Sequence, residues 1–170
     1  MRVLVDTTIW SLALRRRNPK PSEKALVDEL AELVQELRAV LIGPIRQEVL
    51  SGIPDAKSFN IVRKHLESFD DLTINGSDYV EAARMFNACR RKGVQGSHID
   101  FLICTVSKKH STPVLLALDP DASDKAQKHA KALSSYGIKV RILDFGNFSD
   151  VGEMTKQQFA IARQSARSWC

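Results

Sequence analysis

Acidic residues that follow short apolar segments carry most of the chemistry that this sequence offers. Asp6 directly follows the apolar residues 3–5, and Asp119 directly follows the apolar residues 114–118. Short apolar runs of this kind are typical of buried parallel strands, whose carboxyl ends meet at one edge of a sheet. We therefore expect Asp6 and Asp119 to lie close together at that edge.

Glu48 and Asp100 lie on predicted helices, which can bring them to the same edge by packing. Two carboxylates about 4 Å apart repel by about 4 kcal/mol at an effective dielectric constant near 20, so a cluster of such acids requires a cation. Carboxylate oxygens without His or Cys suit Mg²⁺ or Mn²⁺. Such an ion can activate water and neutralise a phosphodiester, so the predicted chemistry is metal-assisted phosphoryl transfer.

Each of these acids also has a purely structural interpretation. Asp6 and Asp119 could cap the helices that follow them, and the residues that lead to Asp100 match a capping box. Glu48 could be an exposed helix acid near Arg46. Taken one at a time, the acids do not separate a catalytic role from a structural one.

The composition places the chain among globular proteins. Of 170 residues, 44% are hydrophobic and 26% are charged, which argues against a disordered or fibrous chain. The net charge of +5 is compatible with a polyanionic partner. The three cysteines lack metal-ligand spacing and cannot form a disulfide framework, which favours a reducing compartment. Because no apolar run is long enough to cross a membrane, we expect a soluble, cytoplasmic protein without a membrane partner.

Short apolar segments alternate with helical patterns along the chain. This alternation predicts an α/β fold with a central, mostly parallel sheet of about four to five short strands flanked by helices. The predicted strands are residues 3–5, 39–42, 72–74, 114–118 and 140–143. We expect a single domain over residues 1–146, followed by a polar, helical extension over residues 147–170.

Four separated segments resemble the PIN-domain family, and more closely the VapC-type ribonuclease toxins of type II toxin–antitoxin systems. They read VLVDTTIW (3–10), IRQEVL (45–50), GSHIDFLIC (96–104) and VLLALDPD (114–121). The resemblance covers about residues 1–143 and implies a single PIN-like domain. In one departure, Ala122 follows Asp121 where the family commonly has an aromatic residue.

The resemblance implies that Asp6, Glu48, Asp100 and Asp119 are catalytic and hold one or two Mg²⁺ or Mn²⁺ ions. It also implies endonucleolytic hydrolysis of RNA by metal-activated water, without a covalent enzyme intermediate. The expected partners are an RNA substrate, a cognate VapB-type antitoxin that obstructs the site and a second copy of the chain in a homodimer.

Two further residues are expected near the acids, and one basic cluster is expected near RNA. The resemblance implies that Thr8 contributes a hydroxyl and that Asp121 lies outside the ligand set. Arg15, Arg16 and Arg17 follow the first acid and are candidate RNA contacts or a solvated face. A second cluster, residues 90–92, precedes the third segment.

Two other classes of function use similar residues. A phospho-accepting, receiver-like signalling module also binds Mg²⁺ with acids at the edge of a parallel sheet. It is disfavoured because one acid rather than a pair ends the first strand, and because no lysine follows the last strand. A non-catalytic PIN-like scaffold that binds RNA or protein is the other alternative, although the sequence retains all the expected acids.

Overall fold

A computed structural model describes residues 2–16, 21–116, 123–144, 146 and 154–169. The chain divides into two compact units, Met1–Thr73 and Ile74–Cys170. In the described residues, no helix combines the length and the apolar character that crossing a membrane requires. The predicted boundary between residues 146 and 147 stays a prediction.

The first unit combines a short parallel strand pair with helices. Its elements are β1 (Val3–Leu4), α1 (Thr7–Arg15), α2 (Pro21–Gln35), β2 (Ala39–Val40), α3 (Gly43–Ser51) and α4 (Ala56–Leu66). Strands β1 and β2 run parallel, with Val3 opposite Ala39 and Leu4 opposite Val40. The pair therefore delivers the chain after β1, which begins α1, to the carboxyl end of the small sheet.

Large apolar side chains fill the interior of this first unit. Trp10 from α1 is almost fully buried and meets the ring of Phe69 edge-on, with ring centroids 4.9 Å apart. Two residues of α3, Ile45 and Val49, are fully buried. Since they are four positions apart, they lie on one face of α3 and fix the side of that helix that faces the core.

The second unit packs helices with a small mixed sheet. Its elements are α5 (Gly76–Arg91), α6 (His98–Lys109), β3 (Val114–Leu116), α7 (Ser123–Ser134), β4 (Val140–Ile142), α8 (Lys156–Ser165) and β5 (Arg167–Trp169). The strand order is β3-β4-β5, with β3 parallel and β5 antiparallel to β4. Helix α6 buries apolar and small polar side chains alike, as its nearly all-round apolar sequence predicts.

The sheet is smaller than the sequence predicts. The described residues form a two-stranded parallel sheet in the first unit and a three-stranded sheet in the second. The predicted strand over residues 72–74 is reduced to one parallel bridge between Leu41 and Asp71, supported by the Leu72 N–H donating to the Leu41 carbonyl at 2.8 Å. The chain then reaches Asn75, whose side chain caps α5, so no residues remain to extend the ladder.

The C-terminal segment contains helix α8 and also strand β5, which was not predicted. Strand β5 pairs with β4, and Arg141 from β4 donates to the carbonyls of Gln164 and Ala166 at 2.8 and 3.0 Å. These bonds satisfy carbonyl groups at the end of α8, which have no partner within the helix. The segment therefore docks on β4 of its own unit.

Candidate active site

Asp6 lies directly beyond β1 and is the N-cap of α1. Its carboxylate accepts a hydrogen bond from the Thr8 backbone N–H at 3.3 Å. The capping interpretation of Asp6 is therefore confirmed, and the negative charge is favourable at the positive end of the helix dipole. The side chain remains exposed, and the cap uses Oδ2, so the residue keeps acceptor capacity for a further ligand.

Glu48 reaches the start of α1 through a hydrogen bond that links segments far apart in the sequence. The hydroxyl of Thr7 donates to Glu48 Oε2 at 2.5 Å, across 41 residues. Glu48 is exposed on α3, and this helix is held in the core by the buried side chains of Ile45 and Val49. Because Thr7 follows Asp6 directly, the fold of the first unit brings Asp6 and Glu48 to the same end of α1.

Thr7 is the residue that the sequence analysis missed. The hydroxyl of Thr8 was expected beside the acids, whereas in the structure the hydroxyl of Thr7 is bonded to an acid and Thr8 contributes its backbone N–H. The only sequence signal is a hydroxyl residue next to Asp6. Which of two adjacent threonines faces α3 depends on how α1 is rotated, and the sequence alone does not fix that rotation.

Arg46 fixes α3 against the segment that follows α4, and it does not pair with Glu48 two residues further on. Its guanidinium donates to both carboxylate oxygens of Asp71, with the shortest distance 2.8 Å from Nη2 to Oδ1. It also donates to the carbonyls of Leu66 and Phe69 at 2.8 and 2.7 Å. A planar guanidinium serves several acceptors at once, so Arg46 holds the helix that carries Glu48 in place.

Asp100 lies in the first turn of α6 in the second unit, where it forms the predicted capping box. The Ser97 N–H donates to Asp100 Oδ2 at 2.6 Å, and the Asp100 N–H donates to Ser97 Oγ at 3.1 Å. The carboxylate is exposed, and the cap engages Oδ2 only. The nearby His98 stacks on Phe86, with ring centroids 4.8 Å apart.

The buried cysteines of the second unit are poor candidates for catalysis. Burial raises the pKa of the Cys104 thiol to about 12, and the nearby carboxylate of Asp100 adds to the rise. Burial also raises the pKa of Cys89. Since the thiolate is both the nucleophile and the metal ligand, these thiols stay protonated near neutral pH. Cys89 and Cys104 are therefore not expected to act as nucleophiles or metal ligands.

The predicted arginine cluster makes contacts within the protein. Arg15 donates to the Gly52 carbonyl at 2.6 Å, which satisfies the end of α3, and Arg16 pairs with Glu23 of α2. Arg17 lies outside the described residues, as do Asp119 and Asp121. The contacts of Arg15 and Arg16 connect α1 with the two helices that follow it.

The carboxylates of each unit suit a divalent cation by their chemistry. Asp6 and Glu48 in the first unit and Asp100 in the second are exposed, and each of the three uses one oxygen for a hydrogen bond to the protein. In the described residues, no three or more His, Cys, Asp or Glu side chains come together within a unit as a metal site. Carboxylate oxygens are ligands of the kind that Mg²⁺ takes in small number while it keeps several waters.

The chain matches no family model and no curated protein sequence. Among solved structures, it is similar to the crystal structure of FitAcB from Neisseria gonorrhoeae, with a TM-score of 0.55 and 20% sequence identity. The match covers 81% of this chain and 94% of the FitAcB chain. The two chains share a fold. The mixed α/β architecture with many helices is accordingly compatible with the PIN-like fold that the sequence predicts.

Proposed function

We propose that this chain is a Mg²⁺- or Mn²⁺-dependent endoribonuclease of the VapC type, the toxin of a toxin–antitoxin pair. The observation that carries the proposal is the Thr7 hydroxyl bonded to Glu48 at 2.5 Å, which brings an acid from α3 to the residue next to Asp6. Asp6 and Glu48, which are far apart in the sequence, are thus brought to the same end of α1, just beyond a parallel strand, where open α/β sheets bind ligands.

The fold supports the same class of protein. FitAcB is a PIN-domain toxin–antitoxin complex, and its likeness to this chain extends over most of both chains. In this proposal, the partner of the chain is a VapB-type antitoxin and the functional form is a cytoplasmic homodimer. The four sequence segments that resemble the family supply the acids, and the mixed α/β architecture is compatible with a PIN-like fold.

In the proposed site, Asp6, Glu48, Asp100 and Asp119 hold the cation, with Thr8 and Asp121 beside them. A bound Mg²⁺ supplies charge neutralisation at the phosphodiester and makes water a better nucleophile. The contributions of the protein are positional. Thr7 holds one oxygen of Glu48 by donating its hydroxyl, and Asp6 is oriented by its cap on α1. In both cases the second carboxylate oxygen remains for the cation.

The proposal is tested by removing single negative charges from the acids. Asp6→Asn, Glu48→Gln and Asp100→Asn keep the shape of each side chain, and we expect each to reduce RNA cleavage by at least about 100-fold and to weaken Mn²⁺ binding in calorimetry. Asp70→Asn removes an exposed acid from the same unit as Asp6, and it serves as the matched control with unchanged activity.

Circular dichroism and thermal unfolding establish that each variant is folded. Chelation of divalent ions by EDTA is expected to abolish cleavage, and added Mg²⁺ or Mn²⁺ to restore it. If folded Asp6→Asn and Asp100→Asn proteins cleave RNA and bind Mn²⁺ as the wild type does, the proposed site is wrong. If wild-type protein binds RNA without cleaving it under any of these conditions, the chain is a binding scaffold instead.

A further inference from the structure

Six exposed basic residues of the second unit lie along α7 and the end of α5. We name them the basic ridge: Arg90, Arg91, Lys92, Lys125, Lys128 and Lys131. The first three end α5 and the turn after it, and the other three lie on α7. Contacts between the turn after α5 and α7 bring these two groups of residues together into one surface.

The turn after α5 lies along α7. Lys92 Nζ donates to Ser135 Oγ at 3.1 Å, and a Cβ placed on Gly93 would lie 2.8 Å from Lys128 Nζ. Residues 128 and 135 are about 10 Å apart along a helical path that rises 1.5 Å per residue. Lys131 lies between them, so Lys92, Lys128 and Lys131 fall within a stretch of about two helical turns.

The core side of α7 explains why these lysines face outward together. Ala126, Ala130 and Leu133 are buried and recur at the spacing of one helix face. Lys128 and Lys131, three positions apart, lie on the opposite face and are exposed. Their ammonium groups therefore share one solvent-facing surface with Lys92.

The positive charge of the ridge is not neutralised by ion pairs within the part of the chain that the structure describes. Asp78 and Glu81 of α5 pair instead with Lys109 and Lys108 of α6, at 2.8 and 3.6 Å. Asp124, at the start of α7, is the neighbouring acid, and it forms no ion pair with any described ridge residue. Like charges gathered in this way repel one another, and a bound polyanion relieves that repulsion.

His129 on α7 reports the same positive field. Its pKa is lowered first by burial and then by the charges of Lys125 and Lys128. The part of this shift that comes from charge is due to Lys125 and Lys128 and does not involve Lys92. Both observations indicate a positive surface that continues along the helix.

We propose that the basic ridge binds the phosphate backbone of the RNA substrate and leads the strand toward Asp100. This inference rests on the proposed function. Residues 93–97 connect the ridge to α6, and a Cβ on Gly96 would lie 3.2 Å from Asp100 Oδ2. Five residues span at most about 18 Å, so the ridge and the acid are near neighbours within one unit.

Single-stranded RNA fits this surface better than an acidic protein does. Protein interfaces have apolar cores that are depleted in lysine. The ridge consists of lysine and arginine, and none of the exposed large apolar side chains of the described chain belongs to it. Flexible lysines act as point charges for phosphates, whose contacts release counterions and make binding depend on salt.

The test measures RNA binding apart from cleavage. A fluorescent single-stranded RNA oligonucleotide is titrated with protein in EDTA at several KCl concentrations. In the ridge variant Lys92→Gln/Lys128→Gln/Lys131→Gln, the glutamine at position 92 retains a donor for Ser135. We expect the affinity of this variant for RNA to fall at least about tenfold. The slope of log K against log salt should decrease in magnitude by about 2, because each of the three lost phosphate contacts contributes about 0.7.

A matched control removes the same charge from the first unit. Lys24→Gln/Lys57→Gln/Lys64→Gln neutralises three exposed lysines, and we expect its affinity to change less than about threefold. Replacing the three ridge lysines by arginine should retain binding. An equal loss in the control and ridge variants, or no loss in a folded ridge variant, overturns the proposal.

Poly-L-glutamate serves as a probe for the alternative that the basic ridge binds an acidic protein. We expect it to compete weakly with RNA, and ridge-dependent binding of poly-L-glutamate as tight as that of RNA would overturn the assignment to RNA. Cleavage by the wild-type protein with Mg²⁺ is measured separately. Ridge-dependent RNA binding without cleavage supports the ridge and rejects the nuclease, whereas cleavage with unchanged binding in the ridge variant rejects the ridge alone.

Discussion

Replacing Thr7 by valine tests whether the bond between α1 and α3 positions Glu48. Valine has nearly the shape of threonine but cannot donate a hydrogen bond, so the change removes the hydroxyl and keeps the packing of this half-buried position. Thr7→Ser keeps the donor and is the matched control. Any effect that valine produces and serine does not is attributable to the hydrogen bond with Glu48.

The expected magnitude follows from the geometry of this bond. Its length of 2.5 Å lies at the short end of the range for a hydroxyl that donates to a carboxylate. Bonds of this kind contribute roughly 1.5–3 kcal/mol when they are shielded. Because Glu48 is exposed and water competes for its oxygens, we expect about 1 kcal/mol. If the hydrogen bond that positions Glu48 is lost, RNA cleavage should slow about fivefold, since 1.4 kcal/mol corresponds to a factor of ten.

A double-mutant cycle isolates this energy from other effects of the substitutions. The unfolding free energies of wild type, Thr7→Val, Glu48→Met and the double variant are measured in urea at neutral pH, since methionine keeps the length of the side chain and removes the acceptor oxygen. We expect a coupling energy of about 1 kcal/mol between the two positions. A coupling below about 0.5 kcal/mol, within the range in which distant sites add, would show that the two side chains do not stabilise each other.

Two further predictions concern ion pairs away from the proposed acids. In Arg46→Lys, one ammonium group cannot replace the guanidinium, which donates to Asp71 and to two backbone carbonyls. We therefore expect the free energy of unfolding in urea to fall by about 2 kcal/mol. A change below about 0.5 kcal/mol would contradict this prediction. Lys109 donates to Asp78, and this hydrogen bond lowers the pKa of Asp78 below its ordinary value of 3.8. The pair therefore stabilises the folded protein fully at pH values above 3.8. This stabilisation is lost as the pH falls from 3.8 through the lowered pKa of the folded protein. The stability difference between wild type and Lys109→Gln should therefore be full at pH 7 and shrink below about pH 3.8, and a difference that grows with acid would refute the assignment.

Local patterns predicted the helices closely. The sequence pattern predicts helices over residues 7–15 and 97–110; α1 spans Thr7–Arg15, and α6 spans His98–Lys109 with Ser97 as its N-cap. Such features depend on residues within a few positions of each other, because capping and helix periodicity are local. The strands were less well predicted. Residues 72–74 have a suitable composition, but pairing depends on a neighbouring strand, and here only one bridge forms.

The candidate site shows the same division between local and distant information. The sequence identified Asp6 and Asp100 as acids at helix starts, and their hydrogen bonds confirm the capping interpretations. It did not predict that Arg15 would satisfy the end of α3 through the Gly52 carbonyl. That contact joins residues 37 positions apart, and its existence depends on how α1 packs against α3.

By itself, the sequence determined which acids follow strands or begin helices, because those properties follow from neighbouring residues. Only the tertiary structure decided that Thr7, rather than Thr8, donates its hydroxyl to Glu48, and that Lys92 and Lys128 belong to one surface. The physical reason is that side-chain direction follows from the rotation and packing of whole helices. That packing minimises the free energy of the complete core, to which residues distant in sequence contribute together.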